Sequence, residues 1–184
     1  MRDTTGRRDS GMDPRAFRNA LGQFATGVAI ITAEVDGVKL GATVSSFNSV
    51  SLDPPLVLFS LARTALSLPQ WRAAKTLAIS MLGEQQTELS NRFAKATGAK
   101  WDGLSERRGQ NGAPLPPEVM LHFECRPYAV YDGGDHEIFV VEVTGYTQHQ
   151  PGRMPLVFFS GRYQRLVSDD GARAPDDNMW LHGW

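Results

Sequence analysis

The chain has 184 residues, with 19 Lys and Arg against 20 Asp and Glu and a formal net charge of −1. That length suits one domain with a substantial core, and the balanced charge gives no global electrostatic case for nucleic acid or an anionic membrane. Cys125 is the sole cysteine, which rules out an intrachain disulfide and a cysteine metal cluster and fits a reducing cytoplasm.

Residues 1–11 are polar and read as a mobile tail; with no apolar run behind Arg2, Arg7 and Arg8 they are not a secretory signal. No stretch of about 18 apolar residues predicts a membrane span. Asp13-Pro14 predicts a helix start, with Asp as N-cap and Pro at the first helical position. Phe17, Ala20, Leu21 and Phe24 share one face, and the helix is expected to cover the core and stop at Gly27. Val28–Val35 is β-rich, Asp36-Gly37 is a strong hairpin signal, and Val38–Ser45 is the return strand. A run of hydroxyl residues follows and ends at Asp53-Pro54-Pro55, where proline removes donors and restrains its neighbour. Leu56–Leu61 predicts a strand buried on both faces, Ser67–Ala74 a short helix with Pro69 in its first turn, and Leu77–Leu82 another buried strand. Glu84–Ala96 predicts an amphipathic helix with Leu89 and Phe93 on its buried side. Trp101–Pro117 reads as an irregular excursion, long enough to hint at function. Val119–Val130 and Ile138–Thr147 predict long strands joined through Asp132-Gly133-Gly134-Asp135, and Leu156–Leu166 a last strand. In the C-terminal tail, 168–184, residues 168–179 are polar and punctuated by Gly and Pro, and Trp180, Leu181 and Trp184 beyond them are expected to dock on another surface, the alternative being a frayed tail. Many strands with few helices argue for an antiparallel barrel, and no GxGxxG follows a strand, which disfavours a Rossmann fold.

The stretch from Leu40 to Pro55 organises the chain. Ser45, Ser46, Ser49 and Ser51 offer hydroxyls beside a buried strand, and two readings stand: a Ser-rich surface turn, or a polar wall for a ligand rich in acceptors. Residues Gly41-Ala42-Thr43-Val44-Ser45-Ser46-Phe47-Asn48-Ser49-Val50-Ser51-Leu52-Asp53-Pro54-Pro55-Leu56-Val57 resemble the signature of the short-chain flavin reductases. Phe24-Ala25-Thr26-Gly27-Val28, Leu89-Ser90-Asn91-Arg92-Phe93-Ala94, Gly134-Asp135-His136 and Ser160-Gly161-Arg162-Tyr163 are similar to further marks of that family, so the resemblance spans residues 13–167.

The resemblance implies a mainly β fold with peripheral helices, a six-stranded antiparallel Greek-key split β-barrel of the FMN-binding type, over residues 12–167. It implies a homodimer, across whose interface Trp180 and Trp184 of the tail are expected to dock, and the lone cysteine suits a cytoplasmic location. The implied activity is that of an NAD(P)H-dependent flavin reductase, with FMN or FAD as acceptor and NADH or NADPH as hydride donor. Reduced flavin would pass to a separate flavin-dependent monooxygenase. The alternative is a non-catalytic flavin-binding or flavin-storage module on the same barrel. An oxidase of the pyridoxamine-phosphate type needs a basic phosphate pocket, and the hydroxyl-rich loop argues against it.

Hydride transfer to flavin needs positioning and charge tuning, with no protein nucleophile or metal. The resemblance implies flavin contacts at Thr43, Val44, Ser45, Ser46, Phe47, Asn48 and Ser49, and at Ser60, Ala62, Arg63 and Ser67 after the next strand. Arg63 suits a phosphate by its paired, charge-assisted donors, or is a solvated surface arginine. Phe93 reads equally as core or as a ring contact; Asn91, Arg92, Lys95 and Lys100 lie nearby. The resemblance makes His136 the hydride-transfer residue; otherwise it is a turn histidine facing water. Arg162 and Tyr163 suit nicotinamide binding or the dimer interface. His122, His149, His182 and Cys125 show no ligand spacing.

Overall fold

A computed structural model describes residues 11–167. The expectations for the N-terminal tail up to residue 10, and for the C-terminal tail with Trp180, Leu181 and Trp184, lie outside the described residues. The order is α1 (Pro14–Leu21), β1 (Thr26–Gly27), β2 (Ala29–Val35), β3 (Val38–Val44), β4 (Asn48–Leu52), β5 (Pro55–Ala62), α2 (Leu68–Ala73), β6 (Leu77–Met81), α3 (Thr87–Ala94), β7 (Leu121–Gly133), β8 (His136–Gln148), β9 (Val157–Phe159) and β10 (Arg162–Gln164).

One sheet of seven strands carries the fold, in the order β3-β2-β6-β7-β8-β5-β4, with every pair antiparallel. Mainly β architecture with few helices is what the sequence predicts; the count of seven rather than six arises because part of the hydroxyl run is itself a strand. β4 pairs with β5 from Asn48↔Leu58 to Leu52↔Pro55, so only Ser45–Phe47 remains as loop. That loop joins the two edge strands. Laid flat, seven strands would hold their edges roughly 29 Å apart, from a spacing of about 4.8 Å. Val44 and Asn48 are separated by four peptide units, which span at most about 15 Å. The sheet is therefore curled, although its edges β3 and β4 do not pair among the described residues. Phe47, in the connecting loop, stacks on Phe123 of the central strand β7 at 6.0 Å between ring centroids, as a curled sheet requires.

Alternation along β2 builds the two sides of its wall. Ala29, Ile31 and Ala33 enter the inner core, whereas Val28 and Ile30 enter a second cluster beneath α3. The inner core takes residues from six strands, among them Leu40, Val57, Phe59, Ile79, Cys125 and Phe139, and α2 plugs one end with Leu68 and Trp71. Phe59 and Phe139 stack at 5.2 Å. Outside β3, Phe93 of α3 packs edge-on against Trp101 and presses on Gly41, where a Cβ would lie 2.4 Å from the Phe93 ring. Asp36 and Gly37 both take positive φ, giving the tight β2–β3 hairpin.

Three expectations need correction. α1 starts as predicted, with the Asp13 carboxylate accepting from Arg15 N at 3.0 Å, but it ends at the Gly22 cap and buries no residue. Phe17, Leu21 and Phe24 are 48, 59 and 78% exposed, because the helix is tethered beyond its end, where the Gly22 carbonyl accepts from Ser160 N. The stretch Leu156–Leu166 is two short strands, since positive φ at Ser160 and Gly161 reverses the chain into a small β1-β9-β10 sheet. β7 runs on to Gly133, so the β7–β8 turn is Gly134-Asp135 alone. The excursion 101–117 has neither helix nor strand, as expected, and is pinned by the Glu124 carboxylate, which accepts from Gln110 N and Asn111 N. No helix among the described residues is long and apolar enough to cross a membrane.

Candidate functional site

Ser46 ties the loop between the two edge strands to β5. β4 pairing stops at Asn48↔Leu58, so two residues further along β5 the Ser60 backbone lacks a strand partner on that side. The Ser46 hydroxyl takes the place of one. Its Oγ accepts from Ser60 N at 2.9 Å and donates to the Ser60 carbonyl at 3.3 Å. Ser45 is exposed beside it, and Phe47 is tucked against the inner core. Since the ladders stop at Val44 and restart at Asn48, the N–H groups of Ser45–Phe47 belong to neither.

β5 then leads to the far hairpin. Across its other edge it pairs with β8, Ser60 opposite Ile138 and Ala62 opposite His136. His136 is thus two residues, about 7 Å, from the Ser46–Ser60 link along the strand axis. Its imidazole is 44% exposed, with Nδ1 2.8 Å from Asp135 Oδ1. An ionised Asp135 places the ring proton on Nδ1 and leaves Nε2 as acceptor.

Arg63 begins the turn after β5, and each of its guanidinium nitrogens is engaged. Nε donates to the Gly134 carbonyl at 2.8 Å, one terminal nitrogen to Glu137 Oε1 at 2.7 Å, and the other to Asp132 Oδ1 at 2.9 Å. Glu137 is 5% exposed and also receives the Arg72 guanidinium from α2. The Arg72 hydrogen bond holds the Glu137 carboxyl below its ordinary value, and the Gly134 N–H together with Arg63 does the same for Asp132.

The remaining predicted residues divide. Asn48 and Ser49 lie in β4, where Asn48 Oδ1 accepts from Ser49 N. Val44 is buried in the inner core, so only its backbone can reach a ligand. Thr43 donates to the Ser90 carbonyl under α3 at 2.7 Å. Phe93 is 1% exposed and fully packed, which makes it core rather than a ring contact of this chain. Ser67 accepts from Trp71 Nε1 and lines a cavity of about 440 Å³ with Lys39, Gly41, Lys100 and Trp101. Lys100 donates to the Gly41 and Phe93 carbonyls, and burial lowers its pKa. A second cavity, about 850 Å³, lies against α3 between Asn91, Arg92, Lys95 and Glu118. Neither cavity is lined by Ser45–Ser49 or by His136. Tyr163 hydrogen-bonds Ser90 and Asn91, tying β10 to α3.

Sequence reasoning passes over Glu137 and Arg72 and gives Asp132 only as a turn residue. The trace of the first two is an acidic residue opening an apolar strand and an arginine on a short helix. Away from this region, at the other end of β7 and β8, His122 Nδ1 lies 2.8 Å from His149 Nε2. Burial lowers the His149 pKa. Burial pushes the Cys125 thiol up to about 12. Among the described residues no His, Cys, Asp or Glu grouping could hold a metal ion.

The model of the flavin reductase like domain matches residues 21–167, from the end of α1 to the last strand. The chain belongs to that family. It is 43% identical over 156 residues to the FMN reductase (NADH) SmoA of Agrobacterium fabrum, covering 85% of this chain and 88% of that one. It is 35% identical over 164 residues to HsaB of Rhodococcus jostii, the reductase subunit of a flavin-dependent monooxygenase, covering 89 and 84%. Among solved structures it resembles the Streptomyces globisporus NADH:FAD oxidoreductase SgcE6, in complex with NAD and FAD fragments. That likeness has a TM-score of 0.81 at 35% identity and covers 87% of this chain and 98% of the other. The family match takes in every candidate residue, from Thr43 to His136.

Proposed function

We propose that this chain is an NAD(P)H:flavin oxidoreductase, which moves a hydride from reduced nicotinamide to FMN or FAD and passes the reduced flavin to a monooxygenase. The observation that carries the reading is the strand register: it sets Ser46 and His136 against opposite edges of β5, two residues or about 7 Å apart along its axis, within a chain of this family. The donor set fits a flavin, because the loop offers N–H groups outside both ladders and an exposed Ser45 hydroxyl. NADH is the donor named for SmoA and SgcE6. HsaB, as a reductase subunit, supports a separate monooxygenase partner.

Flavin supplies the hydride-accepting ring nitrogen. The Ser45–Phe47 loop binds the ring edge and stabilises the charge it gains on reduction. Ser46 holds that loop against β5. His136 holds a proton at Nδ1 and offers Nε2 to the nicotinamide or to a proton in transit. Lys100 has a third ammonium donor left after its two carbonyl partners, and with Ser67 it serves the phosphate end.

The architecture is read as a split barrel. Six strands, β2, β3, β5, β6, β7 and β8, feed one inner core, and β4 folds onto β5 beside the split. The exposed apolar face of α1 supports a homodimer, since Phe17 and Leu21, with Phe24 just beyond the helix, stay largely exposed among the described residues. We place the protein in the cytoplasm, where its nicotinamide donor is made. The test crosses NADH and NADPH with FMN, FAD and riboflavin in steady state, following nicotinamide oxidation. Turnover with at least one pair is expected. Flavin binding with no oxidation of either nicotinamide would make the chain a flavin-storage module.

A further inference from the structure

Arg63 holds four residues of the β7–β8 hairpin. Besides the three side-chain bonds to Asp132, Gly134 and Glu137, its backbone N–H donates to the Asp135 carbonyl at 2.9 Å. Asp132 in turn accepts from Gly134 N at 2.8 Å, closing the turn on itself. Arg72 reaches the same Glu137 carboxylate from α2, with Nε 2.9 Å from Oε2. Glu137 is buried while its neighbour His136 is 44% exposed, as strand alternation demands of adjacent residues. The backbone on both sides of His136 is therefore held, and its ring meets Asp135 Oδ1 at 2.8 Å.

We propose that Arg63 is a positioning residue for His136, with Glu137 and Arg72 as its anchor, rather than a ligand of flavin phosphate. The inference rests on the assignment of His136 above. Arg63 leaves β5 directly after Ala62, the residue paired with His136, so the clamp ties the strand beside the Ser46–Ser60 link to the hairpin tip. Two carboxylates already meet its charge, one at each terminal nitrogen, and charge-assisted bonds from the planar guanidinium fix orientation as well as distance. A loosened tip changes where the imidazole stands relative to bound ligands, and misplacements of about 1 Å cost on the order of 10²-fold in well-oriented reactions.

The experiment is anaerobic stopped-flow reduction of bound flavin at saturating NADH, in wild type, Arg63→Met, Arg63→Lys, His136→Ala and the Arg63→Met/His136→Ala double variant. Flavin dissociation constants for FMN and riboflavin are measured alongside. Arg63→Met is expected to slow reduction about tenfold, with both flavins bound as in wild type, and Arg63→Lys to recover part of the rate. In the His136→Ala background the same substitution should add less than about twofold, since both changes act through one group. Arg63→Lys keeps a cation beside Glu137 and serves alone if Arg63→Met does not fold. Undiminished slowing in the double variant overturns the clamp, and weaker FMN binding with riboflavin unaffected overturns it and restores the phosphate role. A normal rate in Arg63→Met beside a slow His136→Ala overturns the clamp while the His136 assignment stands. A normal rate in His136→Ala overturns that assignment and the clamp together.

Discussion

Ser46→Ala tests whether the loop between the edge strands is held to β5 by one hydroxyl. In the wild type, Ser46 Oγ satisfies both the N–H and the carbonyl of Ser60, at 2.9 and 3.3 Å, where β4 no longer reaches. Alanine leaves both groups without their partner in a half-buried position. A fully buried unsatisfied donor costs about 1–3 kcal/mol, and water reaching this site reduces that to about 1–2 kcal/mol. For a domain of this size each kcal/mol is worth about 2–4 °C, so the melting temperature should fall by roughly 2–8 °C. The same free energy orders the Ser45–Phe47 loop, so FMN affinity should fall about tenfold, equivalent to about 1.4 kcal/mol. Ser46→Thr keeps the hydroxyl and should lie close to wild type in both respects. The assays are a thermal melt and a fluorescence titration of FMN. Wild-type melting and affinity in Ser46→Ala would refute the account of the loop.

Gly41→Ala would drive a Cβ to 2.4 Å from the Phe93 ring, so it should destabilise by about 1–3 kcal/mol in denaturant unfolding; an unchanged midpoint would mean that α3 does not lie on β3. Glu137 has a folded pKa below its ordinary 4.5, so its contribution is complete above pH 4.5 and is lost as pH falls through the lowered value. The melting-temperature gap between wild type and Glu137→Gln should therefore be constant from about pH 5 to 8 and shrink below pH 4.5; a constant gap down to pH 3 would contradict the ion cluster. The proposed homodimer predicts twice the chain mass in light scattering, and Phe24→Glu, at a residue 78% exposed in the single chain, should shift it towards monomer; a wild-type monomer would contradict the pairing.

Most of the fold was legible because strands announce themselves locally. The Asp36-Gly37 hairpin, the apolar runs of β2, β5 and β6, and the Asp13-Pro14 helix start depend on residues adjacent in sequence, and the structure has them where the pattern puts them. β4 was hidden because its alternation is carried by serines, and a hydroxyl run reads as loop until β5 is known to lie beside it. The apolar face of α1 follows from periodicity, but what covers that face does not. Within the candidate site, Ser46, Ser60 and His136 were visible through the family resemblance. Their meeting along β5 was not, since it depends on the β5–β8 register. Arg63 shows the limit most plainly. An exposed arginine after a strand has the chemistry of a phosphate ligand, and only the fold brings Asp132 and Glu137 to it across some seventy residues.

The central claim is that hydride transfer takes place beside His136 while flavin is held by the Ser45–Phe47 loop. Anaerobic single-turnover reduction of flavin by NADH in His136→Ala, with flavin affinity measured separately, tests it most directly. Positioned acid–base groups contribute about 10²–10⁴-fold, and a hydride step that requires no proton abstraction should lose less, roughly tenfold or more. The account predicts that loss together with wild-type flavin affinity. Reduction at the wild-type rate from pH 5.5 to 8.5 would contradict it and return His136 to the role of a turn histidine facing water.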